Sequence, residues 1–291
     1  MPKSYTRRLL ALISDTHGGQ TGGLLNPETK LEAYDLDGNA YEVPVALNPL
    51  QEQIWELHEK HLKECSKIAG SDEIIVIHDG DQTQGNKYFD DVLYHSIANQ
   101  IIVAEYNIHP ILRMKQVKTL RMAWGTASHE FMSGTTPLLL QRSLSNRFTS
   151  KNIKSVKHGL LDIGGYTVDY SHHGPSQGIR AWLKGNEFRY YLKSIMDFDI
   201  KAGRKPPDLV VRAHTHCMVE ESVTEFYKDG RHKTTGVIVP SYTMINDYAR
   251  QKTKSQFSLT VGMCLAEIIN NKTYDLHWLY KTFDTRTKEA I

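Results

Sequence analysis

Leu9-Leu10-Ala11-Leu12-Ile13-Ser14-Asp15-Thr16-His17 sets an unbroken apolar run directly against a D-x-H triplet. Apolar residues without polar alternation read as a strand buried on both faces, as in sheets covered by helices. The same join recurs twice. Residues 73–77 form an apolar run that passes through His78-Asp79 into Gly80-Asp81, and residues 208–211 lead to His214-Thr215-His216. Strand ends of a layered α/β fold gather along one edge, where ligands bind. Carboxylates and imidazoles brought together there make a divalent-cation site, and an Asp able to bridge makes a two-cation site.

Outward from these joins, helical and extended patterns alternate. A Gly-rich loop, residues 18–23, follows the first join, then a polar, irregular segment to about Asn48 with a turn at Asp37-Gly38. Leu50, Ile54, Leu57, Leu62, Cys65 and Ile68 repeat at near-helical spacing and predict a helix over 50–69. Residues 92–106 read as a second helix and 117–124 as a strand. Thr135-Thr136-Pro137 opens a helix running to Phe148, with Pro suited to a first turn. Residues 160–163 and 166–171 flank Gly164-Gly165, a hairpin signal, and 177–200 fits a longer helix. Strands dominate the remainder: 219–227, a turn at Lys228-Asp229-Gly230, 234–239, 259–269 and, after Asn270-Asn271, 274–283. Two facing sheets with helices outside them accommodate both halves. No repeat, low-complexity tract or linker divides the chain, so one domain over residues 1–291 is expected.

Composition bounds the function classes. A chain of 291 residues can bury an ample core, and its net charge of +2 does not by itself indicate a nucleic-acid partner. Cys65, Cys217 and Cys264 are scattered and odd in number, which suits a reducing compartment better than a disulfide framework. The run 9–13 is too short for a signal-peptide core, and no stretch approaches the roughly 20 apolar residues of a membrane span. A cytoplasmic protein with no membrane partner is expected. Basic residues cluster at Arg142, Arg147, Lys151, Lys154 and Lys157, then at Arg180, Lys184, Arg189 and Lys193. They form either a solvated face or a track for a phosphodiester backbone, and Trp124, Trp182, Tyr190 and Tyr191 either stack bases or fill the core.

Asp15 and His17, two apart at a strand end, can point to one side, and His214 and His216 repeat that spacing. In chain order the motifs are Asp15-Thr16-His17, Gly80-Asp81, Gly125-Thr126-Ala127-Ser128-His129-Glu130, His173-Gly174 and Ala213-His214-Thr215-His216. This series resembles the calcineurin-like metallophosphoesterases, whose pattern is D-x-H, G-D, G-N-H-D/E, H-G and G-H-x-H. The resemblance spans roughly residues 8–217. It implies a four-layer α/β/β/α sandwich of two mixed sheets flanked by helices. It also implies that Asp15, His17 and His216 hold a first divalent cation, His173 and His214 a second, and Asp81 both. Mn²⁺ is the foremost candidate, and Zn²⁺, Fe and Ni²⁺ also suit such donors.

The third motif departs from the family in the manner of phage-like chains with a shifted G-T-x-x-H-E. Thr126-Ala127-Ser128 stands where one Asn, a ligand of the second cation, is usual. Either His129 enters as a ligand of that cation, or Thr126 or Ser128 contributes, or water completes the shell. Glu130 would orient the His129 ring, and His172 and Asn86 are further candidates for alternate ligands or supporting hydrogen bonds. The arginines with which the family's protein phosphatases grip phosphate are replaced by Gln82-Thr83-Gln84-Gly85-Asn86 and Trp124, which favours a diester over a monoester.

The expected activity is phosphate-ester hydrolysis in which two cations lower the pKa of a shared water for attack on phosphorus. Asp81 and His129 are the catalytic candidates, and DNA, RNA or a cyclic nucleotide the candidate substrates. The alternatives are a phosphomonoesterase of the same family and a non-catalytic scaffold that binds nucleic acid. Residues that contact substrate are not legible.

Overall fold

The opening apolar run lies at the centre of the larger sheet. In the computed structural model, which describes residues 7–132, 134–176, 183–228, 230–244, 258–287 and 289, β1 (Arg7–Ile13) pairs in parallel with β4 (Ile74–His78). On its other side it runs antiparallel to β12 (Ser258–Ile269). With β5 (Val117–Ala123), β6 (Asn152–Val156) and β13 (Lys272–Asp284) these form a six-stranded mixed sheet, in the order β13-β12-β1-β4-β5-β6. A second mixed sheet has the order β10-β11-β9-β8-β7. Its strands are β7 (Gly159–Ile163), β8 (Tyr166–Tyr170), β9 (Leu209–Arg212), β10 (Val219–Tyr227) and β11 (Gly230–Ile238).

Three apolar clusters bind four layers together. Leu9, Ala11, Ile13, Val76 and Met263 on one face of the large sheet meet Ile54, Ile108 and Leu140 from α1 (Pro49–Ala69), α2 (Ile97–Arg113) and α3 (Thr135–Arg147). Leu10, Leu12 and Ile77, alternating to the other face, pack on Val168, Leu209, Val211 and Val237 of the second sheet. That sheet's outer face, through Val210 and Ile238, receives Phe188, Leu192 and Met196 of α4 (Asn186–Lys201). The result is the α/β/β/α sandwich expected from the sequence. Among the described residues, no helix is long and apolar enough to cross a membrane.

Local chemistry explains where expectation and structure part. The irregular segment before Asn48 contains a ribbon, β2 (Lys30–Tyr34) and β3 (Ala40–Pro44), joined through the Asp37-Gly38 turn. The Asp35 carboxylate tightens that turn by accepting from Asp37 N–H and Asn39 N–H. The helix expected over 92–106 instead begins after Ser96, whose hydroxyl caps Asn99 N–H, and runs on through Pro110 to Arg113. Pro110 has no N–H for the Tyr106 carbonyl four residues earlier. Asn26 Nδ2 donates to that carbonyl at 2.8 Å instead, so the helix continues. The short strand β6 was not anticipated. Of the helix expected over 177–200, residues 177–182 lie outside the described residues, with Arg180 and Trp182 among them.

One buried ion pair ties this frame to the strand ends. Arg212, the last residue of β9 and 1 % exposed, meets Asp169 of β8 at 2.6 Å and donates to the Tyr191 hydroxyl of α4. Removing one partner of a buried pair strands the other charge. Asp169→Leu should therefore cost about 3 kcal/mol in denaturant unfolding, and adding Arg212→Met should recover much of it. Equal stabilities of the single variant and the parent would show that the pair holds nothing together.

Candidate metal centre

Parallel pairing of β1 with β4 continues past the strands and brings their loops side by side. Asp79 N–H donates to the Ile13 carbonyl, Asp15 N–H to Gly80 and His17 N–H to Asp81. Asp15 and Asp81 thereby enter one pocket from adjacent strand ends, both fully buried. Gly125, leaving β5, passes so close that a Cβ there would strike the Asp81 backbone and carboxylate. His172 and His173 arrive from β8, and His214 and His216 from β9. From the far side, Tyr242 after β11 donates its N–H to the Asp15 carbonyl at 3.1 Å.

The backbone at these positions is strained. Asp15, His17, Asp81, His214 and His216 all have left-handed φ, between 43° and 68°, and make up five of the nine non-glycine residues described with positive φ. Each such residue costs on the order of 1 kcal/mol. Strain of this kind persists where surrounding structure holds it and collects at functional sites.

Two lobes share the carboxylates. In the first, Asp15, His17 and His216 offer donor atoms within 4.8 Å of one another, and so do His17, Asp81 and His129. In the second, His172, His173 and His214 form such a group, and Asp15, Asp81 and His172 another. All six residues expected to ligate from the sequence therefore come together, and His172 joins them. Thr126 Oγ1 reaches into the second lobe, 3.2 Å from Asp81 Oδ2, 3.4 Å from His173 Nε2 and 3.2 Å from His214 Nδ1.

The other candidates from the third motif lie elsewhere. His129, expected beside the second cation, is grouped with His17 and Asp81 in the first lobe, because its Nδ1 donates to the Gln84 carbonyl at 2.6 Å. Glu130 does not orient that ring. Its buried carboxylate accepts from Gly125 N–H and Gly134 N–H and braces the loop between them. Asn86 uses its side chain on His95 and Gln100, and the Ser128 carbonyl lies against Gly85.

Three imidazoles are set in the same sense, by groups that the sequence reading did not anticipate. Gln84 Oε1 lies 2.8 Å from His17 Nδ1, the Gln84 carbonyl takes His129 Nδ1–H, and the Asp79 carbonyl takes His172 Nδ1–H at 2.5 Å. A carbonyl oxygen only accepts, so Nδ1 carries the proton and Nε2 faces the carboxylates. This is the arrangement that prepares a histidine to bind a cation. His17 Nε2 is buried without a hydrogen-bond partner, 3.7 Å from Asp15 and 4.0 Å from Asp81.

Charge explains the proton balance of the cluster. Burial pushes Asp15 and Asp81 up, but His172 and the other imidazoles outweigh it and hold both well below the usual carboxylate range. Burial likewise opposes a charged His172, yet Asp81 at 2.9 Å and Asp15 at 3.9 Å raise it to about 10. Burial lowers His129 and His214 to about 4, leaving them neutral. The protonated His172 thus balances part of the two carboxylates' charge. The donor set, two carboxylates and six imidazoles, fits divalent transition metals.

No family model matches the chain, and no curated protein matches it. A solved structure to which it is similar is Chaetomium thermophilum Vps29 complexed with the RaPID-derived cyclic peptide RT-D3. That match is 12 % identical, covers 97 % of this chain and 99 % of the other, and has a TM-score of 0.35. So weak a likeness carries no argument about function.

Two outcomes are expected of the site. Because the His172 proton must leave when a cation arrives, Mn²⁺ binding should release protons and tighten from about pH 6 to about pH 9. Calorimetry in buffers of different ionisation enthalpy measures this, and binding without proton release would remove His172 from the cation's surroundings. Gln84→Met keeps the volume but loses the acceptor for His17, so Mn²⁺ affinity should drop about 10- to 100-fold. Unchanged affinity would show that the Gln84 side chain does not set that ring.

Proposed function

We propose that this chain is a dinuclear-metal-dependent phosphoesterase acting on a phosphodiester, a nucleotide or nucleic acid being the substrate class. The reading is supported by one observation above all. Two buried carboxylates, each at a strained strand end, are ringed by imidazoles in the motif order of the calcineurin-like metallophosphoesterases. Asp15, His17, His216, Asp81 and His129 would hold one cation, and Asp81, His173, His214 and His172 the other, with Mn²⁺ foremost. Such cations supply Lewis-acid polarisation of the phosphoryl group and a water of lowered pKa.

The chain's own groups have separable tasks. Asp81 spans the lobes: Oδ1 accepts Thr126 N–H at 2.6 Å, while Oδ2 faces His172 and the Thr126 hydroxyl. These bonds fix the carboxylate's plane before anything binds. His129, neutral and with its proton on the Gln84 side, presents a lone pair rather than an acidic N–H. In this state it suits the role of ligand or acceptor and not that of general acid.

Substrate class follows from what is missing and what is spent. The positions from which arginines would clamp a phosphomonoester hold glutamines and Trp124. Arg212 is committed to Asp169. Several residues of the basic segments are also engaged: Lys151 donates to the Met114 and Val117 carbonyls, while Arg147, Arg189 and Lys193 pair with Glu105, Glu221 and Glu225. A small diester therefore fits better than a long polymer held along that face.

With added Mn²⁺ the protein should turn over bis-p-nitrophenyl phosphate faster than p-nitrophenyl phosphate. Asp81→Asn should abolish turnover and deplete both ions in metal analysis. No turnover of either ester with Mn²⁺, Zn²⁺, Fe²⁺ or Ni²⁺ would overturn the reading. A variant that keeps both ions and full activity would take Asp81 out of the bridge.

A further inference from the structure

The strand β13 is long, lies at the edge of the large sheet, and among the described residues nothing pairs with its outer side. Natural sheets blunt such edges, because a row of free N–H and C=O groups invites another strand. Here the edge carries apolar side chains in its middle: Leu276, Trp278 and Leu279 are half-buried, and Tyr280 is 48 % exposed. We propose that two copies of this chain pair through β13, antiparallel about a two-fold axis at Trp278, so that the two large sheets become continuous.

The sequence of the strand carries this register. Beyond a bulge at Tyr274 the strand is regular from Asp275 onward. With the axis at Trp278, Asp275 lies opposite Lys281 of the second copy, and symmetry repeats the pair. The one Asp and the one Lys of the regular stretch 275–283 then meet an opposite charge. Directly opposed side chains share a face, and opposite charges there stabilise while like charges destabilise. Leu276 faces Tyr280, and Trp278 faces its own copy, so an apolar centre is flanked by charges at both ends. Moving the axis to His277 sets Asp275 against Leu279 and Lys281 against Thr273. Moving it to Leu279 sets Lys281 against His277 and Asp275 against Phe283. Neither keeps a charge pair.

A two-fold interface must be self-complementary in this way. The neighbours within the chain leave room for it. Asp275 lies 3.5 Å from His277 Nδ1, and the Lys281 ammonium rests over the Phe283 ring at 4.8 Å. Lys281 and Asp275 are exposed. On the inner side, Trp278 Nε1 donates to Glu220 of β10, which fixes the indole where the axis would pass. This proposal does not depend on the metal chemistry.

Sedimentation velocity on the full chain over a concentration series tests it. The parent chain should sediment as a dimer that dissociates on dilution. Lys281→Glu, which opposes two carboxylates at both symmetric positions, should weaken the dimer about tenfold. Asp275→Lys combined with Lys281→Glu should restore it, and that rescue also shows that the single variant was folded. A monomeric parent at every concentration would overturn the proposal. So would a Lys281→Glu dimer of unchanged strength, or a double variant no stronger than the single one.

Discussion

Two carboxylates buried within 4.8 Å of each other set the terms for everything gathered at this edge of the sheets. Asp15 and Asp81 sit at the ends of neighbouring parallel strands, where the pairing of β1 with β4 leaves them no way apart. At an effective dielectric of about 20, two like charges at that distance repel by roughly 3 kcal/mol. Something positive must stand between them. A protonated His172 does so. The remaining imidazoles, several made neutral by burial, add donors without adding charge. A pocket with two carboxylates and several neutral nitrogen donors could hold a metal ion.

The backbone shows how firmly that arrangement is enforced. Left-handed turns at Asp15, His17, Asp81, His214 and His216 let each strand turn out of its sheet at the residue that points inward. Gly80 and Gly125 add close approaches that a side chain would block. The cost is offset by the apolar layers beneath, where Leu10, Leu12, Ile77 and Val211 lock the two sheets face to face. Ligand positions thus derive their precision from the sheet-on-sheet core rather than from the loops themselves.

The sequence was legible where chemistry is local. An apolar run meeting D-x-H, G-D or H-x-H announces both a strand and its end, so β1, β4 and β9 and the six expected ligands all come together. It was less legible where a distant group supplies the missing interaction. Nothing near Pro110 signals that Asn26, more than eighty residues earlier, will take over the carbonyl that proline cannot bond. Gln84 reads as an ordinary polar residue, yet its side chain and carbonyl orient two histidines. His129 was expected in one lobe and sits in the other, because the Gln84 carbonyl and not Glu130 directs its ring. A spacing argument sees positions along the chain and has no access to such long-range hydrogen bonds.

The insertion in the third motif has a structural consequence of its own. In this chain the turn from Gly125 puts a threonine hydroxyl among Asp81, His173 and His214, and the added residues carry the histidine past it into the first lobe. The two lobes are therefore unequal. The first has both carboxylates within reach of His17, His129 and His216. The second has His172, His173 and His214, both carboxylates within reach of His172, and the Thr126 hydroxyl among them. The third motif thus distributes a hydroxyl and a histidine around two carboxylates whose places are set by the adjacent strand ends.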